Sequence, residues 1–143
     1  MIERKNAVFT YAKEFNFDFN DDKMFLIDAN VSGSYESMLK IIRSGKRIPR
    51  ILFADNDIVA IGAMKALLES GYKIPDDIKI AGFDDIYLSS IASVPLTTMH
   101  VQREMIGKIA TQTLINHIIS RFKSYSKIKI GGTIKIRKTT SVS

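Results

Sequence analysis

The strongest constraint on the fold lies between Ile51 and Gly107, where short, fully apolar runs alternate with runs of helical period. Ile51-Leu-Phe-Ala54 is followed by Val59, Ala60, Ala63, Met64, Leu67 and Leu68, one helical face that ends at Ser70-Gly71. Ile78-Lys-Ile-Ala81 is a second such run, Ile86 to Ala92 has room for a short helix, and Leu96 to Val101 is a further strand. Strands apolar along their whole length need cover on both faces, which argues for a mostly parallel sheet between helical layers, a three-layer α/β/α architecture. Asp55, Asp57, Asp84 and Asp85 stand where these strands end. In open α/β sheets ligands bind beyond the carboxyl ends of strands, so these positions are the first candidates for function.

The flanks extend the pattern. Val8, Phe9, Ala12 and Phe15 have helical spacing, and Met24-Phe-Leu-Ile27 reads as a buried strand. Ser32-Gly-Ser34 can open a helix whose stripe is Tyr35, Met38, Leu39 and Ile42, stopped by Gly45 before an Ile48-Pro49 turn. Arg103 to Phe122 is the longest helical run. Its apolar residues, among them Ile106, Ile109, Leu114, Ile115, Ile118 and Ile119, span an arc wider than one side. Such a helix either sits in the middle of this domain's own layer or needs sheet surface that the chain does not supply. Two short strands near 127–130 and 133–138 flank Gly131-Gly132, a hairpin turn pair.

At 143 residues the chain is one domain's worth, with 45% hydrophobic and 25% charged residues. No cysteine is present, so disulfides and thiolate chemistry are excluded. The opening Met1-Ile-Glu-Arg-Lys-Asn lacks the apolar run of a signal peptide, and no apolar stretch approaches the roughly 20 residues of a membrane span. The formal net charge of +6 is uneven. Residues 1–98 carry 12 Lys/Arg against 14 Asp/Glu, residues 99–143 nine against one. Lys127, Lys129, Lys135 and Arg137 alternate with Ile128, Ile130, Ile134 and Ile136, the period of a half-buried strand with a solvated basic face. No aromatic platform interleaves them as in a single-strand binder.

Each candidate residue has a bland reading beside the functional one. Asp84 and Asp85 are adjacent and point to opposite sides of an extended chain, which makes them a poor acid–base pair; one could face the crevice, or both could serve a turn. Asp57 reads as a helix cap rather than a catalyst. Phe53 belongs either to the core or, as a ring at the strand's end, to the crevice. His100 and His117 are too far apart to suggest a metal pair. The glycines of a P-loop or dinucleotide fingerprint and the Gly-x-Ser-x-Gly elbow are missing, which argues against an enzyme and leaves no cofactor and no metal to expect.

The order of these pieces resembles the effector-binding domain of the LacI/GalR family of bacterial transcription regulators. The matching segments are Ile51 to Gly62, Gly71 to Asp85, Pro95-Leu-Thr-Thr98, Gly107, and Ile136-Arg-Lys-Thr-Thr140. Residues 4–45 match more loosely, with Arg4 at the family's arginine and Ala7-Val8 replacing the usual Gly-aromatic pair. Val101-Gln102 replaces the Gln-Pro of many members. The resemblance implies a periplasmic-binding-protein-like (type I) fold of two subdomains with a small effector in the cleft. Residues 1–143 would be the C-terminal portion, with the DNA-binding headpiece absent from this chain and helix 102–122 packing on a missing N-terminal subdomain.

Residue by residue, the resemblance assigns Arg4, Phe53, Asn56, Asp57 and Asp84 to the effector site. Arg4 and Asp84 would grip opposite edges of a polyol while the Phe53 ring covers its apolar face. It also places Met64, Leu67, Tyr87, Leu88, Ile91 and Val94 on a dimer surface. The expected function is sensing of a sugar or other small metabolite in a cytoplasmic regulator, a homodimer that meets DNA only through its headpiece and no membrane. A periplasmic sugar-binding transport protein and a small α/β enzyme are the alternatives.

Overall fold

The computed structural model describes residues 2–120 and 125–141. The elements, in order, are α1 (Ile2–Glu14), a 3₁₀ turn (Asp21–Lys23), α2 (Val31–Arg43), β1 (Ile51–Phe53), α3 (Asp57–Glu69) and β2 (Lys79–Asp84). They are followed by α4 (Tyr87–Ile91), β3 (Thr97–His100), α5 (Arg103–Ile119) and β4 (Thr133–Lys135). The sheet runs β1-β2-β3-β4, with the first three strands parallel and β4 antiparallel to β3. The expected mostly parallel α/β sheet is therefore what forms.

The core lies between this sheet and the α2–α3 pair. Met38 of α2, Ala60, Ala63, Met64, Ala66 and Leu67 of α3, and Ile78, Ile80 and Leu96 from the sheet side are all buried. Two glycines permit the close approach. A Cβ on Gly62 would stand 1.8 Å from Ser34 Oγ and 2.5 Å from the Val31 carbonyl oxygen, so α2 and α3 can cross only over a bare backbone. A Cβ on Gly82 would stand 2.3 Å from Asp57 Oδ1 and 2.9 Å from Leu96 Cδ2.

Asp57, the first residue of α3, is completely buried. Its Oδ2 accepts from the Ile86 N–H at 3.0 Å and from Ser89 Oγ at 2.6 Å, and its Oδ1 accepts from Thr98 Oγ1 at 2.5 Å. Burying a carboxylate is tolerable only when its lone pairs find donors, and the α3 N-terminus further favours negative charge there. One side chain thus ties α3 to the start of α4 and to β3.

A second knot holds the C-terminal segment. Asp85 Oδ1 accepts from Arg137 Nη2 at 2.6 Å, and its Oδ2 meets His100 Nδ1 at 2.9 Å. Burial pushes the Asp85 carboxyl up, but the bonds from Arg137 and His100 outweigh it and hold the group below the usual carboxylate range. Arg137 Nη1 also donates to the Leu96 carbonyl, while Thr139 Oγ1 accepts from the Thr97 N–H and the Thr139 carbonyl accepts from Ile80.

Several expectations change. Met24–Ile27 forms no strand: Phe25 and Ile27 pack on the core, but Leu26 is 92% exposed, and among the described residues β1 pairs only with β2. Residues 127–130 form no strand either. β4 pairs with β3 instead, and Gly132 is pressed against β3, where a Cβ would lie 2.7 Å from the His100 carbonyl oxygen. The Lys–Ile alternation is inverted in its outcome. Ile134 and Ile136 are 65% and 73% exposed, whereas Arg137 turns inward to its two acceptors. Helix α5 spans Arg103–Ile119 and buries none of its side chains, so it does not lie in the middle of this domain's own layer; Phe122 lies outside the described residues.

Two outcomes test this packing. Gly82→Ala drives a methyl into Asp57 and should lower unfolding free energy by about 1–3 kcal/mol, read as a lower urea midpoint. Gly107→Ala, in α5 with no atom within 4 Å of the added Cβ, should instead stabilise by about 0.5–1 kcal/mol. For Asp85, the folded group binds its proton less readily than the unfolded one, so the stability it contributes is fully present above the ordinary aspartate value of 3.8 and is lost as pH falls through the folded value. Asp85→Asn should therefore cost about 2 kcal/mol at pH 7, with the gap to wild type closing in acid, measured by urea titrations across pH.

Candidate functional site

Because β1, β2 and β3 are parallel, their carboxyl ends lie along one rim, where Phe53, Phe83-Asp84 and Met99-His100 emerge. Helix α1 brings Arg4 to this rim. Arg4 Nη1 donates to the Asp55 carbonyl oxygen and, at 3.2 Å, to Asp55 Oδ1. Its guanidinium carbon stands 4.1 Å from the centroid of the Phe83 ring, a cation–π arrangement that fixes the plane of the fork.

Asp84 behaves differently from the other acids. It is half-buried, yet among the described residues its carboxylate accepts no hydrogen bond. Burial pushes it above the usual carboxylate range; Arg4 and Arg103 nearby pull it down, and Asp57 and Asp55 push it further up. Its backbone has φ +112°, and Asp85 follows with φ +52°. Two consecutive non-glycine residues with positive φ are unusual, and such conformations persist where the surroundings over-determine them, often at binding sites.

The expected site residues divide. Arg4 and Asp84 come together at one rim, close enough for the guanidinium to act on the carboxylate. Phe53 is 49% exposed at the end of β1, and the sheet register puts it on the same side as Phe83, so it is not a core residue. Asp57 is corrected, and Asn56 has a structural duty. Asn56 is the cap of α3, its Oδ1 accepting from the Val59 N–H at 2.9 Å, so that oxygen serves the helix. Asp57 neither caps nor faces a ligand; it is closed off by its three donors. On the expected dimer surface, Met64 and Leu67 are corrected as well, since both side chains lie in the core, while Tyr87, Leu88 and Ile91 are exposed and Val94 is half-buried.

Asp55, one of the strand-end acids, also belongs to the rim, as do Phe83 and Arg103, which were not singled out by the sequence. Phe83 carries no polar group to mark it; only the placement of Arg4 over its ring reveals its role at the rim. Asp55 had the same turn chemistry as its neighbours. Arg103 donates from Nη2 to the Asp85 carbonyl at 3.1 Å, a contact no spacing rule predicts. His100 is satisfied by Asp85, and no group of three or more metal-ligating side chains exists among the described residues. Chemically, the rim offers an unengaged carboxylate, a planar cation and two aromatic rings, a set suited to gripping a polyhydroxylated molecule by its edges and face.

Comparison with known proteins identifies the family. Residues 1–140 match the periplasmic binding protein-like domain family. The chain is 35% identical over 144 residues to the HTH-type transcriptional repressor PurR of Histophilus somni (strain 129Pt), covering 96% of this chain and 43% of that protein. It is 35% identical over 121 residues to the HTH-type transcriptional regulator GalR of Streptococcus thermophilus, covering 83% and 37%. Among solved structures, the complex of the transcriptional regulator CelR with cellobiose superposes with a TM-score of 0.87 at 17% identity, over 96% of this chain and 42% of that one. The lac repressor dimer bound to operator and the anti-inducer ONPF gives 0.72 at 26% identity, over 79% and 39%. The chain thus spans less than half the length of these relatives. No helix among the described residues is long and apolar enough to cross a membrane. With the family matched over nearly its whole length, this chain belongs to the periplasmic binding protein-like domains, in the form carried by LacI/GalR transcription regulators.

Proposed function

We propose that this chain is the effector-sensing part of a transcription regulator and that its effector, a sugar or other small metabolite, is held at the rim by Arg4, Phe53 and Asp84. The observation that carries the reading is Asp84: a half-buried carboxylate, held in a strained backbone, with no hydrogen-bond donor of its own among the described residues. Its oxygens reach solvent while no protein group bonds them, so a ligand hydroxyl or amine can take the place of water there. Arg4 would donate from the other edge of the ligand, and the Phe53 and Phe83 rings would cover its apolar face. Relatives of this fold seen with cellobiose, lactose and sucrose support a polyol as the ligand class.

The exposed apolar residues of α5, Leu114, Ile118 and Ile119 among them, support packing against a second subdomain that completes the cleft. Closure of the two subdomains on the effector would then bias DNA binding, which requires that the effector bind the two states with different affinity. DNA is reached through a headpiece outside these 143 residues, in the cytoplasm. The chain binds and does not turn over its ligand, as in repressors similar to it. Tyr87, Leu88, Ile91 and Val94, without Met64 and Leu67, are the proposed dimer surface.

A thermal-shift screen of sugars and nucleobases on the full-length regulator should yield an effector that raises Tm, with binding weak or absent for this chain alone. Asp84→Asn and Arg4→Ala should each weaken that effector at least about tenfold, roughly 1.4 kcal/mol; retention of full affinity by both variants would rule out the rim. The unliganded site carries a separate signature. The folded Asp84 binds its proton more readily than the unfolded one, so its charge destabilises the fold as pH rises above the ordinary aspartate value. Asp84→Asn should therefore stabilise the ligand-free chain at pH 7, with the gain vanishing in acid, measured by urea titrations at pH 3 and pH 7.

A further inference from the structure

We propose that Arg137, on the C-terminal segment, is a positioning residue of the effector site, acting through Asp85 to hold Asp84 in its ligand-ready orientation. Asp84 and Asp85 are consecutive and both adopt positive φ, yet they are treated oppositely by their surroundings. Every polar group of Asp85 is pinned. Its N–H donates to Thr98 Oγ1 at 3.4 Å and its carbonyl accepts from Arg103 at 3.1 Å. Its two carboxylate oxygens are taken by Arg137 at 2.6 Å and His100 at 2.9 Å. The Asp84 backbone pairs with His100 in the sheet, but its carboxylate has no such tie among the described residues. A backbone conformation that an L-residue resists is therefore imposed at Asp85 and inherited by Asp84, which is left facing its ligand position with a bare carboxylate.

Arg137 is the keystone of that pinning because its fork bridges two elements. Nη2 holds Asp85 after β2, and Nη1 donates to the Leu96 carbonyl before β3 at 2.9 Å. The backbone of Arg137 is itself fixed by Thr97 Oγ1, which accepts from its N–H at 2.7 Å and donates to its carbonyl at 3.0 Å. A planar guanidinium can span both acceptors at once, whereas a lysine ammonium is a single point charge. The C-terminal segment, 52 residues from Asp85 in sequence, is by this contact part of the site.

This inference rests on the effector reading of Asp84, but its test needs no effector, so the two can fail separately. The Asp84 side-chain carboxyl is followed by carbon-13 NMR titration in the wild-type chain, in Arg137→Gln and Arg137→Lys, and in Thr140→Ala. The last loosens the same segment at the Thr97–Thr140 contact without touching the fork. Loss of a positive charge near Asp84 would by itself raise its titration point. Loss of positioning frees Asp84 into water and lowers it. The expected result is a fall into the ordinary aspartate range in both Arg137 variants and no change in Thr140→Ala. Arg137→Lys keeps the charge and serves if Arg137→Gln does not fold. An Asp84 titration unchanged or raised in Arg137→Lys, or lowered equally in Thr140→Ala, overturns the proposal.

Discussion

The carboxylate of Asp57 is the interaction on which the rest of this structure depends. It stands at the first turn of α3, over the bare backbone of Gly82, and takes donors from Ile86, Ser89 and Thr98. Those contacts decide where α4 begins and how deep α3 sits against β2 and β3. They also decide which acid is available for a ligand. Asp57 is spent internally, Asp85 is spent on Arg137 and His100, and Asp55 is engaged by Arg4. Asp84 alone among these four is left without a hydrogen-bond donor among the described residues. The negative charge of Asp57 and Asp55 nearby adds to the burial that raises its proton affinity.

Much of this was legible in the sequence, and for a physical reason. Continuous apolar runs such as Ile51-Leu-Phe-Ala54 and Ile78-Lys-Ile-Ala81 are satisfied only in a covered sheet, and the helical spacing from Val59 to Leu68 fits one solution, a crossover helix whose buried side includes Ala60, Ala63 and Leu67. The convergence of Arg4 and Asp84 was reached by resemblance rather than by periodicity, since nothing in residue spacing relates positions 80 apart. The division of labour among four acids was not legible. Asp55, Asp57, Asp84 and Asp85 have the same chemistry in one dimension. Only the three-dimensional supply of donors tells a buried anchor from an open acceptor.

The errors in the C-terminal third share one cause. Alternation at Ile128, Ile130, Ile134 and Ile136 implies one buried face, but whether a face is buried depends on what covers it, and Ile134 and Ile136 have little covering them here. The same holds for α5, whose apolar arc is real and whose burial is not supplied by the described residues. Periodicity reports which side chains want cover, not where the cover comes from. An inward-turning Arg137 amid exposed isoleucines is the corollary: a fork that bridges Leu96 and Asp85 gains more from two acceptors than it does from solvent.

At this rim Asp55, Asp57 and Asp85 are engaged within the protein, and Asp84 is the acid proposed to meet the effector. The most direct measurement is a crystal structure of the full-length regulator with its effector. The account predicts a ligand hydroxyl or amine within hydrogen-bond distance of the Asp84 carboxylate, the Arg4 guanidinium on the opposite edge, and the Asp57 and Asp85 contacts unchanged. A ligand bound to Asp57, or one that leaves Asp84 to a donor from the protein itself, would contradict it.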